Sequence, residues 1–368
     1  MKRRLIPIAE PYMTKADLEA VVKTLEKKQL SQGENVEKFE KEFAKYTGTR
    51  EAVAFNSGTA AIQSCLYAIG VSSGDEVITS PFTMAATANA VVVLGAKPVF
   101  ADIELDTFNI DPKKVREAIT KKTKVIMPVH YAGQCADMKE IMEIAEEHNL
   151  FVLEDACEAH GAIYRGKKAG SIGDAGAFSF YPNKNIATGE GGMLTTNDED
   201  LAKKCRILRA HGQDARYHHV EIGWNFKMPD FVAALGRIQL RHLDYVIREK
   251  NKIASYYNAH LKEIEGVYPP VTKSDRTHTY MLYAMRTETH ELRERLVQSL
   301  ENNGVEVRLS FPSVHLQPAY VKRYGFKRGD LPISEHASDT VICLPIFVGF
   351  KKKDQAYILD VIEKTTRQ

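Results

Sequence analysis

A large excess of charge of either sign is missing from this chain. Its 50 lysines and arginines nearly balance 48 aspartates and glutamates, leaving a formal net charge of +2. A near-neutral chain with no basic helix and no helix-turn-helix pattern offers no electrostatic case for nucleic acid or an anionic membrane surface. Cysteine is scarce: five in 368 residues, scattered at Cys65, Cys135, Cys157, Cys205 and Cys343. With no CxxC pair and an odd count, neither a disulfide scaffold nor a metal site is expected, and a reducing cytoplasm suits the chain. Each cysteine reads as a small buried hydrophobe. No apolar run reaches the length of a membrane span. The basic start "MKRRLIPIAEPYM" meets Glu10 and Pro11 before any apolar core, so no secretion signal is expected. Internal repeats and low-complexity segments are absent as well.

What is present is alternation. "TKADLEAVVKTLEKKQ" carries Leu18, Val21, Val22 and Leu25 at helical spacing, with Thr14 as N-cap and Asp17 three residues on. "NVEKFEKEFAKYTG" reads as a second helix ending at Gly48. From there short apolar runs alternate with helical patterns: "EAVAF", "DEVITS", "KPVFADI", "KVIMPVHY" and "LFVLEDA" are strands, followed by "AGAFSFY" and "GMLTTN". Strand and helix alternating at these lengths predict an α/β fold with a mainly parallel sheet flanked by helices. "MPDFVAALGRIQLRHLDYVIREKNKIASYYNAHLKEI" reads as a long helix, continuous or interrupted, leaving that unit. Beyond about residue 250 the pattern changes to "HTYMLYAMR", "ELRERLVQSLENNG", "VEVRLS" and "KDQAYILDVIEKTTR", which suit a small α+β domain. A large domain over 1–250 and a small one over 251–368 are expected.

Ligands of open parallel sheets sit at the carboxyl ends of the strands. Three polar groups are delivered there. "NSGTAA" follows the first strand, and Gly58 and Thr59 open a helix that could hold a phosphate or could carry a plain Ser/Thr cap. Asp155 ends "LFVLED", where a carboxylate is either a ligand or a solvated group capping the next helix. Lys184 follows "FSFYPN", before a glycine-rich stretch that keeps the backbone loose, and Ser179 lies on the strand itself. A lone strand-end lysine is ordinarily a surface charge. A phosphate cradle, a carboxylate and a lysine together are what pyridoxal 5′-phosphate requires: an anchor, a partner that keeps the ring nitrogen protonated, and an amine that bonds the cofactor.

An ordered series of motifs now resembles the DegT/DnrJ/StrS family of sugar aminotransferases, over almost the whole length. It runs through "QLSQGENVEKFEKEFAKYTG", "NSGTAAI", "SPFTMAATANAV", "PVHYAGQCADM", "EDACEAHGA", "FSFYPNKNIATGEGGMLTTND", "GWNFKMPDFVAALGRIQL" and "PSVHLQPAY". The resemblance implies a fold-type I pyridoxal-phosphate transferase. It also implies a nucleotide-diphosphate keto sugar as acceptor, an amino acid such as glutamate as donor, and a homodimer with shared active sites. By that resemblance Lys184 is the catalytic, cofactor-bearing lysine and Asp155 the partner of the ring nitrogen. Gly58, Thr59 and Ser179 are phosphate ligands, and Glu158 lies near the ring hydroxyl. Asn225 in "GWNFKM" resembles a residue that reaches the partner's cofactor phosphate; otherwise it caps the helix after Pro229. Met84 stands where the family usually stacks an aromatic ring on the cofactor, and Lys227 where an arginine is more usual. Arg308, His315 and Tyr320 lie in "VEVRLSFPSVHLQPAY", which resembles the family's substrate wall, although ordinary surface residues would also suit. "PVHYAG" resembles forms that aminate C4 of the sugar. Two alternatives remain at this stage. A dehydratase on the same scaffold is disfavoured by the presence of Lys184, and a non-catalytic regulator by the intact matched positions.

Overall fold

The computed structural model describes residues 5–367; the basic residues Lys2 to Arg4 with which the chain opens lie outside them. A seven-stranded sheet forms the centre. Its spatial order is Glu51–Phe55, Gly192–Thr196, Ala175–Ser179, Phe151–Asp155, Thr123–Met127, Glu76–Thr79, Lys97–Phe100. The last five pair in parallel. Gly192–Thr196 runs antiparallel to both its neighbours. Glu51–Phe55 therefore points the same way as the parallel set, and the carboxyl ends of six strands share one edge. Helices cover both faces, and two apolar cores result. One packs Phe39, Phe43, Phe178 and Phe180; the other packs Phe55, Ile62, Leu66 and Leu194.

The first helix, Lys15–Glu26, has the expected N-terminus: the Thr14 N–H and hydroxyl both donate to Asp17 Oδ2, at 2.7 and 2.6 Å. Its apolar stripe faces the other way from an ordinary amphipathic helix. Leu18, Val22 and Leu25 are exposed, while Asp17 and Thr24 are buried. The reason is polar: Asp17 Oδ1 also accepts from Gln239 Nε2 of the long helix at 2.9 Å, which turns the polar side inward. The second helix, Glu34–Thr47, ends at Gly48 in the left-handed region.

The long helix is a single uninterrupted piece, Asp230–Leu261. Leu240 and Leu243 lie in the first core, and Ile253, Ala254, Tyr257 and Leu261 in a third. That third core lies on an antiparallel four-stranded sheet ordered Val267–Tyr268, Tyr283–Thr287, Val341–Leu344, Arg308–Leu309. Helices His290–Asn302 and Lys352–Thr366 complete it. Ile6 bridges to Val305 and packs in the same core, so this residue sits with the C-terminal sheet and not with the large one. No described helix is long and apolar enough to cross a membrane.

Candidate active site

The shared strand edge opens into a cleft of about 370 Å³ lined by Gly58, Thr59, Met84, Asp155, Glu158, Ser179 and Lys184, with Arg308 and Phe311 reaching in from the smaller sheet. Each polar group arrives by local logic. Helix Gly58–Ala68 starts directly after its strand, and the Ser57 hydroxyl accepts from Ala60 N–H at 3.1 Å. The N–H groups of the first helical residues have no intrahelical acceptor and point out of the helix start. Glycine at position 58 is required by space: an added Cβ would lie 2.8 Å from Cys157 Sγ and 2.9 Å from Ser179 Cβ. Gly192 is tighter still, since a Cβ there would stand 2.3 Å from the Ser57 carbonyl. Of the glycines after Lys184, Gly191 and Gly192 are therefore close-packed, whereas Gly189 is exposed with open space around it.

Glu154 and Asp155 show what a strand does to neighbouring carboxylates. Successive side chains leave on opposite faces. Glu154 is fully buried and accepts from His130 Nε2 and the N–H groups of Gly170, Ile172 and Gly173, at 2.7–2.8 Å. It is a structural carboxylate. Asp155 turns to the cleft, where Oδ2 accepts from Thr87 Oγ1 at 2.7 Å and Oδ1 from Cys157 N–H at 3.2 Å. Thr87 in turn shares a 2.9 Å hydroxyl contact with Thr83.

Lys184 Nζ donates to Glu158 Oε1 at 3.1 Å, and Glu158 Oε2 accepts from Ala132 N–H at 2.8 Å. Ala132 holds φ of 55°, a left-handed conformation costly for a residue with a Cβ, which aims its N–H at the carboxylate. Behind the strand, His160 lies buried against Phe178 and Phe180. Burial, then the charge of Lys184, pushes its pKa down to about 3, so its imidazole is neutral near pH 7. Burial pushes the Cys157 thiol well up, so it is no thiolate.

Other residues singled out from sequence lie elsewhere. His315 and Tyr320 are neither cleft groups nor surface groups. His315 is fully buried with Nε2 3.0 Å from Glu335 Oε1, and Tyr320 donates to Asn89 Oδ1 at 2.7 Å. Both rings pack with Phe100, and neither lines the cleft. Arg308 alone of the three lines the cleft. Asn225 is exposed and outside its own chain's cleft; its Oδ1 accepts from Lys227 Nζ at 2.6 Å. It does not cap the long helix, whose N-cap is Pro229. Met84 is more than half exposed on the cleft wall. Sequence reasoning missed Thr83, Thr87, Asn183 and Glu190 in the cleft. The spacing of Thr83 and Thr87, four apart at a helix start, was a usable signal for the first two.

The helix N-terminus, the hydroxyl of Ser179, the strand-end carboxylate and the lysine form a donor set that fits pyridoxal phosphate. Asp155 in particular is a cleft carboxylate with no cationic partner among the described residues, a fit for a protonated ring nitrogen. Fold and cleft together define a transferase of the fold-type I class. Residues 11–363 match the DegT/DnrJ/EryC1/StrS aminotransferase family, and the chain belongs to it. It is 40% identical to the spore coat polysaccharide biosynthesis protein SpsC of Bacillus subtilis, over 98% of this chain and 96% of that one. It is 38% identical to GDP-perosamine synthase of Caulobacter vibrioides, over 98% of both chains. The structure of Spr1654 from Streptococcus pneumoniae, solved in its PLP form, superposes with a TM-score of 0.95 at 28% identity, covering 99% of each chain.

Proposed function

We propose that this aminotransferase moves an amino group from glutamate to C4 of a keto sugar carried on a nucleoside diphosphate. Pyridoxal 5′-phosphate is its cofactor, and when bound it supplies an electron sink for negative charge on the donor carbon. Gly58, Thr59 and Ser179 would hold its phosphate, Asp155 its ring nitrogen, and Lys184 its reactive carbon. Thr87 and the Cys157 N–H keep the Asp155 carboxylate turned to the cleft. Lys184 Nζ, once free, would carry a proton from the donor carbon to the cofactor's reactive carbon, and in the return half-reaction from that carbon to the sugar carbon. Positioned proton transfer of this kind is worth on the order of 10² to 10⁴ in rate. Glu158, 3.1 Å away, holds that nitrogen in place between steps. Arg308 supplies positive charge for the sugar's diphosphate. The observation that carries the reading is the convergence of Lys184, Asp155 and the Gly58 helix start on one cleft.

Other parts of the reading rest on the family relationship and the sequence. We read the protein as a homodimer with Asn225 completing the partner's site, on its exposed position outside its own cleft. A cytoplasmic setting agrees with five unbridged cysteines. The sugar nucleotide as acceptor is supported by the relative named GDP-perosamine synthase. The test is a panel of UDP-, GDP- and dTDP-linked 3-keto and 4-keto sugars with glutamate as donor. Amination of a 4-keto member is the expected result. Turnover confined to 3-keto sugars would remove the C4 assignment, and no turnover with any would remove the sugar assignment.

A further inference from the structure

Lys250 is a buried amine that none of the roles above uses. It lies in the middle of the long helix and is only 5% exposed. No carboxylate pairs with it among the described residues; its Nζ reaches one acceptor, the Met281 carbonyl, at 3.4 Å. Burial, reinforced by the charge of Lys184, pushes its pKa down to about 7. His160, which feels both lysines, is neutral and offers no counter-charge. An unpaired buried ammonium is costly, and an apolar side chain of similar volume would fill the space at less cost.

The hydrogen bonds lead from this lysine to the other one. Met281 N–H donates to Ala132 O at 2.9 Å, and Thr279 N–H to Gly133 O at 2.8 Å, so the loops 279–281 and 131–133 are zipped together. The same loop turn carries the Ala132 N–H that holds Glu158, and Glu158 holds Lys184. Asn185, next to Lys184 in the chain, donates from Nδ2 to Thr279 O at 3.1 Å. Gly133 leaves no slack, since a Cβ there would be 2.4 Å from Thr279 Oγ1.

We propose that Lys250 is a positioning residue for the reaction: by holding the Met281 carbonyl it fixes the paired loops, and through Ala132 it fixes the Glu158 carboxylate against Lys184. The inference rests on the reading of Lys184 as the cofactor-bearing lysine.

Lys250→Met keeps the length and removes both the charge and the donor. In the holoenzyme it slows the half-reaction with glutamate about tenfold, the size expected for loss of one coupled contact. Cofactor affinity stays the same. The ratio of the resting enzyme's visible absorption bands moves in the same direction as in Glu158→Gln. In the Glu158→Gln background, Lys250→Met has no further effect, because the route to Lys184 is already cut. Lys250→Leu, which also removes charge and donor, serves if the methionine variant does not fold, and the same results are expected. Equal slowing in both Glu158 backgrounds, or an unchanged half-reaction, overturns the proposal. Borohydride reduction and peptide mapping separate it from the reading beneath: label on another lysine overturns both, whereas label on Lys184 with a normal half-reaction overturns this inference alone.

Discussion

Gly58 shows how one missing methyl shapes a binding site. A Cβ here would collide with Cys157 and Ser179, so only without one can the helix start meet the strand end. Gly58→Ala must push these apart, and overpacking of this kind costs about 1–3 kcal/mol. Cofactor affinity should fall about tenfold, read by absorbance titration of the apoprotein, and the thermal transition should move down by a few degrees. An unchanged affinity would mean that the helix start does not hold the phosphate. Arg308 makes a different argument at the same scale. It is an exposed cation on the cleft wall with no ion-pair partner among the described residues. Hydrogen bonds to a charged group are worth about 1.5–3 kcal/mol. Arg308→Ala should therefore raise KM for the sugar nucleotide about ten- to hundredfold and leave the glutamate half-reaction alone. Equal damage to both half-reactions would assign Arg308 to the cofactor.

The long helix Asp230–Leu261 ties the two sheets together and carries its own pH dependence through Lys250. In the unfolded chain Lys250 titrates near 10.5; in the folded apoprotein its pKa is about 7. Between these values the unfolded state holds the proton and the folded state does not, so stability rises with pH across this window. Stability is lowest below pH 7, where the buried amine must be charged. Lys250→Met removes this slope and should stabilise the apoprotein at pH 6 by on the order of a few kcal/mol, with little gain near pH 10.5. Paired melting curves at the two pH values measure it. A variant that is more stable yet slower is the outcome that the positioning role requires. A loss of stability at pH 6 would mean that the ammonium is better satisfied than its single long hydrogen bond suggests.

For the whole molecule the question is whether one chain holds a complete site. Asn225 is exposed and does not line its own cleft, and the apolar stripe of Leu18, Val22 and Leu25 faces outward from the single chain. In the two-fold dimer proposed above, the sharing of Asn225 is countable. Lys184→Ala and Asn225→Trp chains, each inactive, are refolded together in equal amounts. Half of the dimers are then mixed, and each mixed dimer has one doubly damaged and one intact site if Asn225 acts across the interface. About a quarter of all sites regain activity on that count. If Asn225 acts within its own chain, mixing restores nothing, and that result with mixed dimers present would rule out the shared site.

Local pattern was sufficient for the order of strands and helices, for the mainly parallel sheet, and for the place of Lys184 and Asp155 at strand ends. These follow from near-neighbour physics: alternation sets the face of a strand residue, and a proline or glycine after an apolar run marks the edge. Other features depended on partners far away in the chain. The first helix turned its polar side inward because Gln239, more than two hundred residues on, offers an amide to Asp17. His315 and Tyr320 went into a core because Phe100 from another strand covers them. Thr87 became a partner of Asp155, and Lys250 a neighbour of Lys184, only once the sheet and the long helix had closed on each other. A side chain's chemistry can be read from its letter, but its direction is set by what packs against it, and that is a property of the tertiary structure.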